Sequence, residues 1–162
     1  MILGIVGDTH NNLKNISKIC EIFNNENTDL VLHTGDITLP KSLHAFNSLN
    51  CKIYAVFGNN DIEEKESLKK VAKNMNCTLS EEPYFFKLEG VSICLIHHPE
   101  LIDTNLLERS DIILHGHTHR YRNEMIRNTL IFNPGECAGF VPGKNQVGIL
   151  NLKDKLPKII NF

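Results

Sequence analysis

Five short polar motifs in this chain each follow directly after an apolar, β-prone run. The motifs are Gly7-Asp8-Thr9-His10, Gly35-Asp36, Gly58-Asn59-Asn60-Asp61, His97-His98 and Gly116-His117-Thr118-His119. Because each motif comes at the carboxyl end of a predicted strand, the side chains can converge on one rim of a parallel sheet, where open α/β sheets bind ligands. Two carboxylates, an amide oxygen and several imidazoles at such a rim predict a site for two metal ions.

The spacing within these motifs suits metal binding. Asp8 and His10 are two residues apart, and alternate side chains of an extended loop point the same way, so both can reach one cation. His117 and His119 have the same spacing, and the two carboxylate oxygens of Asp36 can bind different ions, as a bridging ligand must. Imidazoles with hard oxygen ligands and no thiolate favour transition metals over Ca²⁺. We expect two divalent ions, Mn²⁺ or Ni²⁺ first, with Fe²⁺, Co²⁺ and Zn²⁺ as alternatives.

Two such ions, about 3.5–4 Å apart, would acidify a bridging water, orient an ester and neutralise developing charge. The carboxylates of Asp8 and Asp36 balance half of the four positive charges, which leaves charge to hold a hydroxide and a phosphate. A single Gly-Asp pair after a strand is more typical of a turn, but five strand ends in order are not. We therefore predict a phosphodiesterase, a hydrolase that attacks small phosphate diesters with a metal-bridging hydroxide and forms no covalent enzyme intermediate.

Composition places the chain among ordinary globular proteins. It has 162 residues, 41% hydrophobic and 22% charged, with a net charge of −2, so a single domain over residues 1–162 is expected. No general basic field attracts nucleic acid, which favours a small diester substrate over a polymer.

Five scattered cysteines argue against a disulfide framework. No apolar run approaches the ~20 residues of a membrane span, and the first strand is too short for a signal peptide, so a cytoplasmic protein is predicted.

The order of elements predicts an α/β protein. Alternating helices and strands in the first half and mostly strands in the second suit two packed sheets of mixed strand direction with helices outside. The role of residues 153–162 stays open between an edge strand and an interface, and a homo-oligomer stays open with it. We expect helices over residues 13–25, 41–49 and 62–75, and strands over residues 2–6, 30–33, 53–57, 84–88, 91–96, 112–114, 130–132 and 147–152.

The ordered set Asp-x-His, Gly-Asp, Gly-Asn-x-Asp, His and Gly-His-x-His, over residues 7–119, resembles the calcineurin-like metallophosphoesterase superfamily. In its short length the chain resembles the minimal branch of that superfamily, the small phosphodiesterases, which is similar in fold to a retromer scaffold subunit. The resemblance implies a four-layer α/β/β/α sandwich of two packed mixed sheets flanked by helices. It implies that one ion is bound by Asp8, His10, Asp36 and His119, and the other by Asp36, Asn59, His97 and His117, with Asp36 bridging.

The chain departs from that family at Asn60. Most members have Gly-Asn-His-Asp or Gly-Asn-His-Glu, whose histidine helps to protonate the leaving group or stabilise the transition state. An amide can donate a hydrogen bond to a phosphoryl oxygen but cannot act as a general acid near neutral pH. We therefore expect low turnover and a preference for good leaving groups. His98 could compensate or be a solvent-facing residue, and Asp61 could orient Asn60 or the His117 side; Asn60, Asp61 and His98 are the catalytic candidates.

The alternative is a weakly catalytic scaffold or protein-binding module of the retromer-subunit type. In that branch, the resemblance suggests, both the bridging carboxylate and the catalytic histidine are altered, whereas here Asp36 is intact, which favours an enzyme. Nuclease activity is disfavoured because no basic groove is evident. His33, His44 and His115 have no partner at ligand spacing, so surface or structural roles are expected for them.

Overall fold

Eleven strands and four α-helices make up the protein in a computed structural model that describes residues 1–162. The strands are β1 (Ile2–Val6), β2 (Leu30–His33), β3 (Lys52–Val56), β4 (Cys77–Ser80), β5 (Tyr84–Leu88), β6 (Val91–Leu95), β7 (Ile112–Leu114), β8 (Arg122–Ile126), β9 (Thr129–Asn133), β10 (Gln146–Asn151) and β11 (Leu156–Asn161). The helices are α1 (Leu13–Asn25), α2 (Pro40–Ala45), α3 (Lys65–Lys73) and α4 (Thr104–Arg109), and 3₁₀ turns cover Phe46–Ser48, Asn59–Glu64 and Pro99–Leu101.

The strands form two mixed sheets. The larger sheet has the order β11-β10-β1-β2-β3-β4, and the smaller has the order β5-β6-β7-β9-β8. Strands β1 to β4 are parallel to each other, as are β6, β7 and β9, whereas β10, β11, β5 and β8 run antiparallel to their neighbours. The carboxyl ends of the parallel strands therefore lie at the same edge of their sheet, as the prediction of a ligand-binding rim requires.

The core confirms the four-layer α/β/β/α sandwich. In β1, Leu3 and Ile5 belong to a cluster of 13 buried residues between the sheets, and Val6 belongs to a cluster of 18 under the helices. This division follows from the two-residue period of a strand, which sends alternate side chains to opposite faces. A third cluster of five lies between the smaller sheet and α4. Gly4 allows close packing, because a Cβ atom there would lie 2.8 Å from the Phe23 ring.

Helix α1 forms where the sequence predicts it. Asn12 caps its first turn by accepting a hydrogen bond from the Asn15 backbone N–H at 3.1 Å. Ile16, Cys20 and Phe23 recur at helical spacing and are buried against the larger sheet. The cap fixes where the loop after β1 ends, and that loop carries the first polar motif.

The remaining elements differ from prediction mainly at their ends. The helix expected over residues 41–49 ends at Ala45 and continues as a 3₁₀ turn, and the helix expected over residues 62–75 begins only at Lys65. The 3₁₀ turn before it contains Asp61, whose carboxylate accepts a hydrogen bond from the Gly58 N–H and so stabilises the turn that leads into the helix. Strand β8 is missing from the prediction because it is an edge strand with mostly exposed side chains and no apolar alternation. Strand β4 and helix α4 are also unpredicted.

The carboxyl-terminal tail is an edge strand. Strand β11 pairs only with β10, and this settles the edge-strand alternative for residues 156–161. None of the helices has both the length and the apolar character needed to cross a bilayer. All five cysteines are unpaired; Cys20, Cys94 and Cys137 are buried, and Cys51 and Cys77 are partly buried.

Candidate metal centre

The seven predicted metal ligands meet at one rim of the sandwich. The loops that carry them follow three strands of the larger sheet and two strands of the smaller one, so the rim spans both sheets. Asp8 and His10 follow β1, Asp36 follows β2, Asn59 follows β3, His97 follows β6, and His117 and His119 follow β7.

One group of donor atoms gathers around His119. The Nε2 atom of His119 is 3.8 Å from Asp8 Oδ1 and 3.4 Å from His10 Nε2. Asp36 Oδ2 is 3.9 Å from His10 Nε2. The ligand atoms of Asp8, His10 and His119 all lie within 4.8 Å of one another, which is close enough for one cation to contact all three.

A second group gathers around Asn59. Asn59 Oδ1 is 3.0 Å from both His97 Nε2 and His117 Nδ1, and these two nitrogens are 3.2 Å apart. Two donor atoms that each lie about 2.1 Å from an ion, 90° apart, are about 3.0 Å from each other. The three atoms therefore have the spacing of ligands that share one ion.

The tautomer of His97 supports this assignment. His97 Nδ1 donates a hydrogen bond to the Thr34 carbonyl oxygen at 2.9 Å, and a carbonyl can only accept, so Nδ1 carries the proton. Burial lowers the pKa of His97, which keeps the ring neutral and leaves a lone pair on Nε2. That lone pair lies 3.0 Å from the Asn59 carbonyl oxygen, and a cation bound by both atoms would stabilise this arrangement.

Asp36 lies between the two groups. Its Oδ1 atom is 3.6 Å from His97 Nε2, and its Oδ2 atom is 3.9 Å from His10 Nε2. Each carboxylate oxygen thus faces a different group, which is the arrangement that a bridging ligand needs.

The electrostatics of the first group also fit a cation. Burial raises the pKa of Asp8 to about 7; the charge of His119 opposes this rise, and the charge of Asp36 adds to it. Burial lowers the pKa of His10, which favours the neutral imidazole that binds metals. Two carboxylates that repel each other beside neutral imidazoles would be stabilised by divalent ions.

Backbone strain is concentrated at the same residues. Asp8, His10, Asp36, His117 and His119 have φ angles of 52°, 46°, 57°, 69° and 53°. They are half of the ten non-glycine residues with positive φ in the chain. Such conformations cost roughly 1–3 kcal/mol each and cluster at functional sites, where the surrounding structure imposes them.

Glycine precedes four of the ligands, and at two of these positions the loop approaches a carboxylate of the centre closely. A Cβ atom at Gly58 would lie 2.2 Å from Asp36 Oδ1, and one at Gly116 would lie 2.8 Å from Asp8 Oδ2. Any side chain at either position would displace a carboxylate of the centre.

The structure places the three catalytic candidates in different surroundings. Asn60 donates to the bridging carboxylate through its backbone N–H, to Asp36 Oδ1 at 2.9 Å, and through its amide, to Oδ2 at 2.7 Å. Asp61 is fully buried and accepts from the backbone N–H groups of Gly58, Asp36 and Thr38. His98 donates from Nδ1 to Glu82, and its ring centroid lies 4.8 Å from that of His117.

Two carboxylates that sequence reasoning missed hold histidines of the rim. Glu136 accepts a hydrogen bond from His119 Nδ1, which turns His119 Nε2 toward Asp8, and it also accepts from the Phe140 N–H at 2.8 Å. The sequence held a signal for Glu136, because it follows an Asn-Pro-Gly turn directly after a buried strand. Glu82 precedes a proline in a loop before β5, and nothing in the neighbouring sequence indicates its contact with His98.

The other histidines have structural contacts or none. His33 is buried; its Nδ1 accepts from the Gly35 N–H at 3.2 Å, and its Nε2 donates to Thr9 Oγ1 at 2.9 Å. Burial lowers the pKa of His33 to about 3, so this ring stays neutral and ties two ligand-bearing loops together. His115 is buried and donates to the Gly116 carbonyl oxygen, whereas His44 is exposed.

The whole chain is similar to several known proteins. A family profile described as the calcineurin-like phosphoesterase superfamily domain matches residues 1–155. The protein named phosphodiesterase MJ0936, from Methanocaldococcus jannaschii, is 34% identical over 159 residues, which cover 96% of this chain and 95% of that protein. A solved structure of an archaeal phosphodiesterase has a TM-score of 0.87 and 32% identity, with 100% of both chains covered. Vps29 from Entamoeba histolytica has a TM-score of 0.70 at 17% identity, covering 100% of this chain and 99% of that one, and shares the fold.

Proposed function

This chain belongs to the calcineurin-like phosphoesterase superfamily, and from that membership we propose that it is a phosphodiesterase that hydrolyses small phosphate diesters at a dinuclear metal centre. The position of Asp36 carries the proposal. One of its oxygens is 3.6 Å from His97 Nε2 and the other is 3.9 Å from His10 Nε2, so a single carboxylate can join two metal sites.

The donor groups on either side of Asp36 supply the rest of the ligands. In the proposed assignment Asp36 is shared by both ions. Asp8, His10 and His119 complete the first set, and Asn59, His97 and His117 complete the second. Imidazole and oxygen donors without a thiolate suit Mn²⁺, Ni²⁺, Fe²⁺, Co²⁺ or Zn²⁺, and ligand chemistry alone does not choose among them.

Two divalent ions bound there would supply an acidified water and positive charge for the phosphate oxygens. The protein's own groups hold this arrangement in place. Asn60 fixes both oxygens of Asp36, and Thr34 and Glu136 hold the Nδ1 atoms of His97 and His119, so that each Nε2 atom faces the centre. Preorganised ligands of this kind spare the reorganisation that flexible side chains would need during the reaction.

Asn60 also limits which esters the site can cleave. Its amide can donate to a phosphoryl oxygen but cannot release a proton to a leaving alkoxide near neutral pH. Both of its observed hydrogen bonds go to Asp36, which supports a positioning role. We therefore expect diesters whose leaving groups need no protonation to be the best substrates.

A protein-binding scaffold is the alternative function. The intact Asp36 and the two sets of donor atoms at ligand spacing favour the enzyme, because a scaffold needs neither. A cytoplasmic location stays a prediction, and the five unpaired cysteines are in keeping with a reducing compartment.

Hydrolysis of a chromogenic diester tests the function directly. Protein stripped with EDTA would be assayed with bis(p-nitrophenyl) phosphate after Mn²⁺, Ni²⁺, Mg²⁺ or Zn²⁺ is restored singly, with p-nitrophenyl phosphate alongside. We expect no cleavage without metal, metal-dependent cleavage of the diester, and slow cleavage of the monoester. Two bound ions without any cleavage would instead support the scaffold.

The Asn60→His substitution should restore a proton donor. General acid catalysis contributes about 10²–10⁴-fold where the geometry is optimal, and we expect roughly a tenfold gain in kcat from an unoptimised ring for phenyl phosphate, a monoester whose leaving group does need a proton. The readout is the monoester rate relative to the diester rate, with Asn60→Gln as the control that adds length but no titratable group. Equal rates for wild type and both variants would contradict the role given to this position.

The Glu136→Gln substitution should weaken the first metal site. It removes the charge that holds His119 Nδ1, and partners of this kind typically contribute 10–100-fold to metal affinity. We expect the dissociation constant of one of the two Mn²⁺ ions to rise about tenfold, measured by calorimetric titration. Glu63→Gln, at an exposed surface position, is the matched control. Unchanged affinity for both ions would show that the contact has no effect on metal binding.

A further inference from the structure

A second carboxylate–histidine pair flanks the centre on the side of the smaller sheet. His98 donates from Nδ1 to Glu82 Oε1. The other oxygen of Glu82 accepts from the backbone N–H groups of His97 at 2.6 Å and His98 at 3.0 Å. One carboxylate therefore fixes both the loop after β6 and the orientation of the His98 ring.

This contact leaves one nitrogen of His98 for another partner. The carboxylate can only accept, so the proton of the neutral ring lies on Nδ1 and the lone pair lies on Nε2. The His98 ring lies 4.7 Å from that of His97 and 4.8 Å from that of His117, measured between centroids. Ligand atoms of these three histidines lie within 4.8 Å of one another, as do those of Asp8, His10 and His119.

The pair repeats the arrangement found at the first group of donor atoms. There Glu136 holds Nδ1 of His119, whose Nε2 faces Asp8. The exposed fractions of the two histidine side chains are nearly equal, 26% for His98 and 24% for His119. A metal-binding histidine almost always donates its other N–H to a carboxylate, a carbonyl or water, and both histidines meet that condition.

We propose that His98 binds the second ion through Nε2, beside Asp36, Asn59, His97 and His117, and that Glu82 positions it. The proposal rests on the dinuclear centre proposed above and adds a ligand that the family resemblance does not include. The second set then contains three imidazoles, one amide oxygen and one shared carboxylate, whereas the first contains two imidazoles and two carboxylates. A nitrogen-rich set favours Ni²⁺, Co²⁺ or Zn²⁺ over Mn²⁺ or Mg²⁺, so the two sites should differ in metal preference.

Titration of metal-free protein with Co²⁺, followed by calorimetry and visible absorption, tests the proposal without any activity assay. Wild type should bind two ions. His98→Ala should bind the first as wild type does and the second at least about tenfold more weakly, with a changed absorption band for that second ion. Glu82→Gln should weaken the same ion by a smaller factor. His44→Ala, which removes an exposed histidine outside the rim, should behave as wild type.

The outcomes separate this proposal from the proposed function. If His98→Ala binds both ions with the affinity and spectrum of wild type, His98 is not a ligand, although the dinuclear phosphodiesterase stands. If wild type binds fewer than two ions, the dinuclear centre fails and the proposal fails with it. Circular dichroism would verify folding, and His98→Gln, judged by the same criteria, replaces His98→Ala if the alanine variant does not fold.

Discussion

Replacing Asp36 by Asn is expected to lower diester hydrolysis by about a thousandfold, the scale of losing a preorganised electrostatic contact in an active site. The amide keeps the shape of the side chain but has one oxygen and no charge, so it cannot serve two cations. In the wild type, the N–H donors of Asn60 donate to both oxygens of Asp36. The substitution places an NH₂ group opposite one of these donors. Bound Mn²⁺, measured by elemental analysis after gel filtration, should fall from two ions to one or none.

The matched control is Asp154→Asn, the same substitution in an exposed turn. It should retain wild-type activity and metal content. A fully metallated Asp36→Asn variant with wild-type activity would overturn the assignment of Asp36 as the bridge. A variant that loses activity but keeps both ions would mean that Asp36 acts on the substrate and not on the metals.

The ligand set could be predicted because two sequence signals coincide. Buried parallel strands read as apolar runs, and the residue types after Val6, His33 and Val56 are metal-competent. Parallel strands end at the same edge, so their polar ends must meet even when they are far apart in sequence. His97 and His117 follow the same rule in the other sheet. The resemblance to a known family divided the ligands between the two ions.

The groups that position the ligands could not be predicted, for physical reasons. Glu82 and Glu136 act through tertiary contacts with residues 15 to 17 positions away, and neither stands in a repeating pattern. The φ angles of Asp8 and Asp36 lie in the left-handed region, which Asp adopts only occasionally, and no pattern in the sequence indicates where it does so. Strand β8 escaped detection because an exposed edge strand needs no apolar face.

Asp61 shows how the two kinds of information combine. Its place in the Gly-Asn-x-Asp motif marked it as a candidate, but its contacts define what it does. The carboxylate is fully buried and accepts from the backbone N–H groups of Gly58 at 2.7 Å, Asp36 at 3.0 Å and Thr38 at 2.6 Å. It thereby joins the loop after β2 to the loop after β3, and these loops carry the bridging carboxylate and Asn59.

Replacing Asp61 by Ala should therefore destabilise the protein even without metal. Three backbone N–H groups would lose their acceptor, two of them in buried hydrogen bonds, and each unsatisfied group costs about 1–3 kcal/mol. We expect the free energy of unfolding to fall by at least about 3 kcal/mol, which for a chain of this length lowers Tm by roughly 6–12 °C. Thermal unfolding of EDTA-stripped protein measures this loss separately from any loss of metal.

Asp103→Ala provides a graded control, because Asp103 accepts a single backbone N–H, that of Leu106 at 2.8 Å, as the cap of α4. Loss of such a cap costs about 1 kcal/mol, so its Tm should fall by much less. If Asp61→Ala unfolds at no lower temperature than Asp103→Ala, the three contacts of Asp61 do not hold the loops together. Retained stability with lost activity would instead mean that Asp61 acts in the reaction, since the loops would then hold without it.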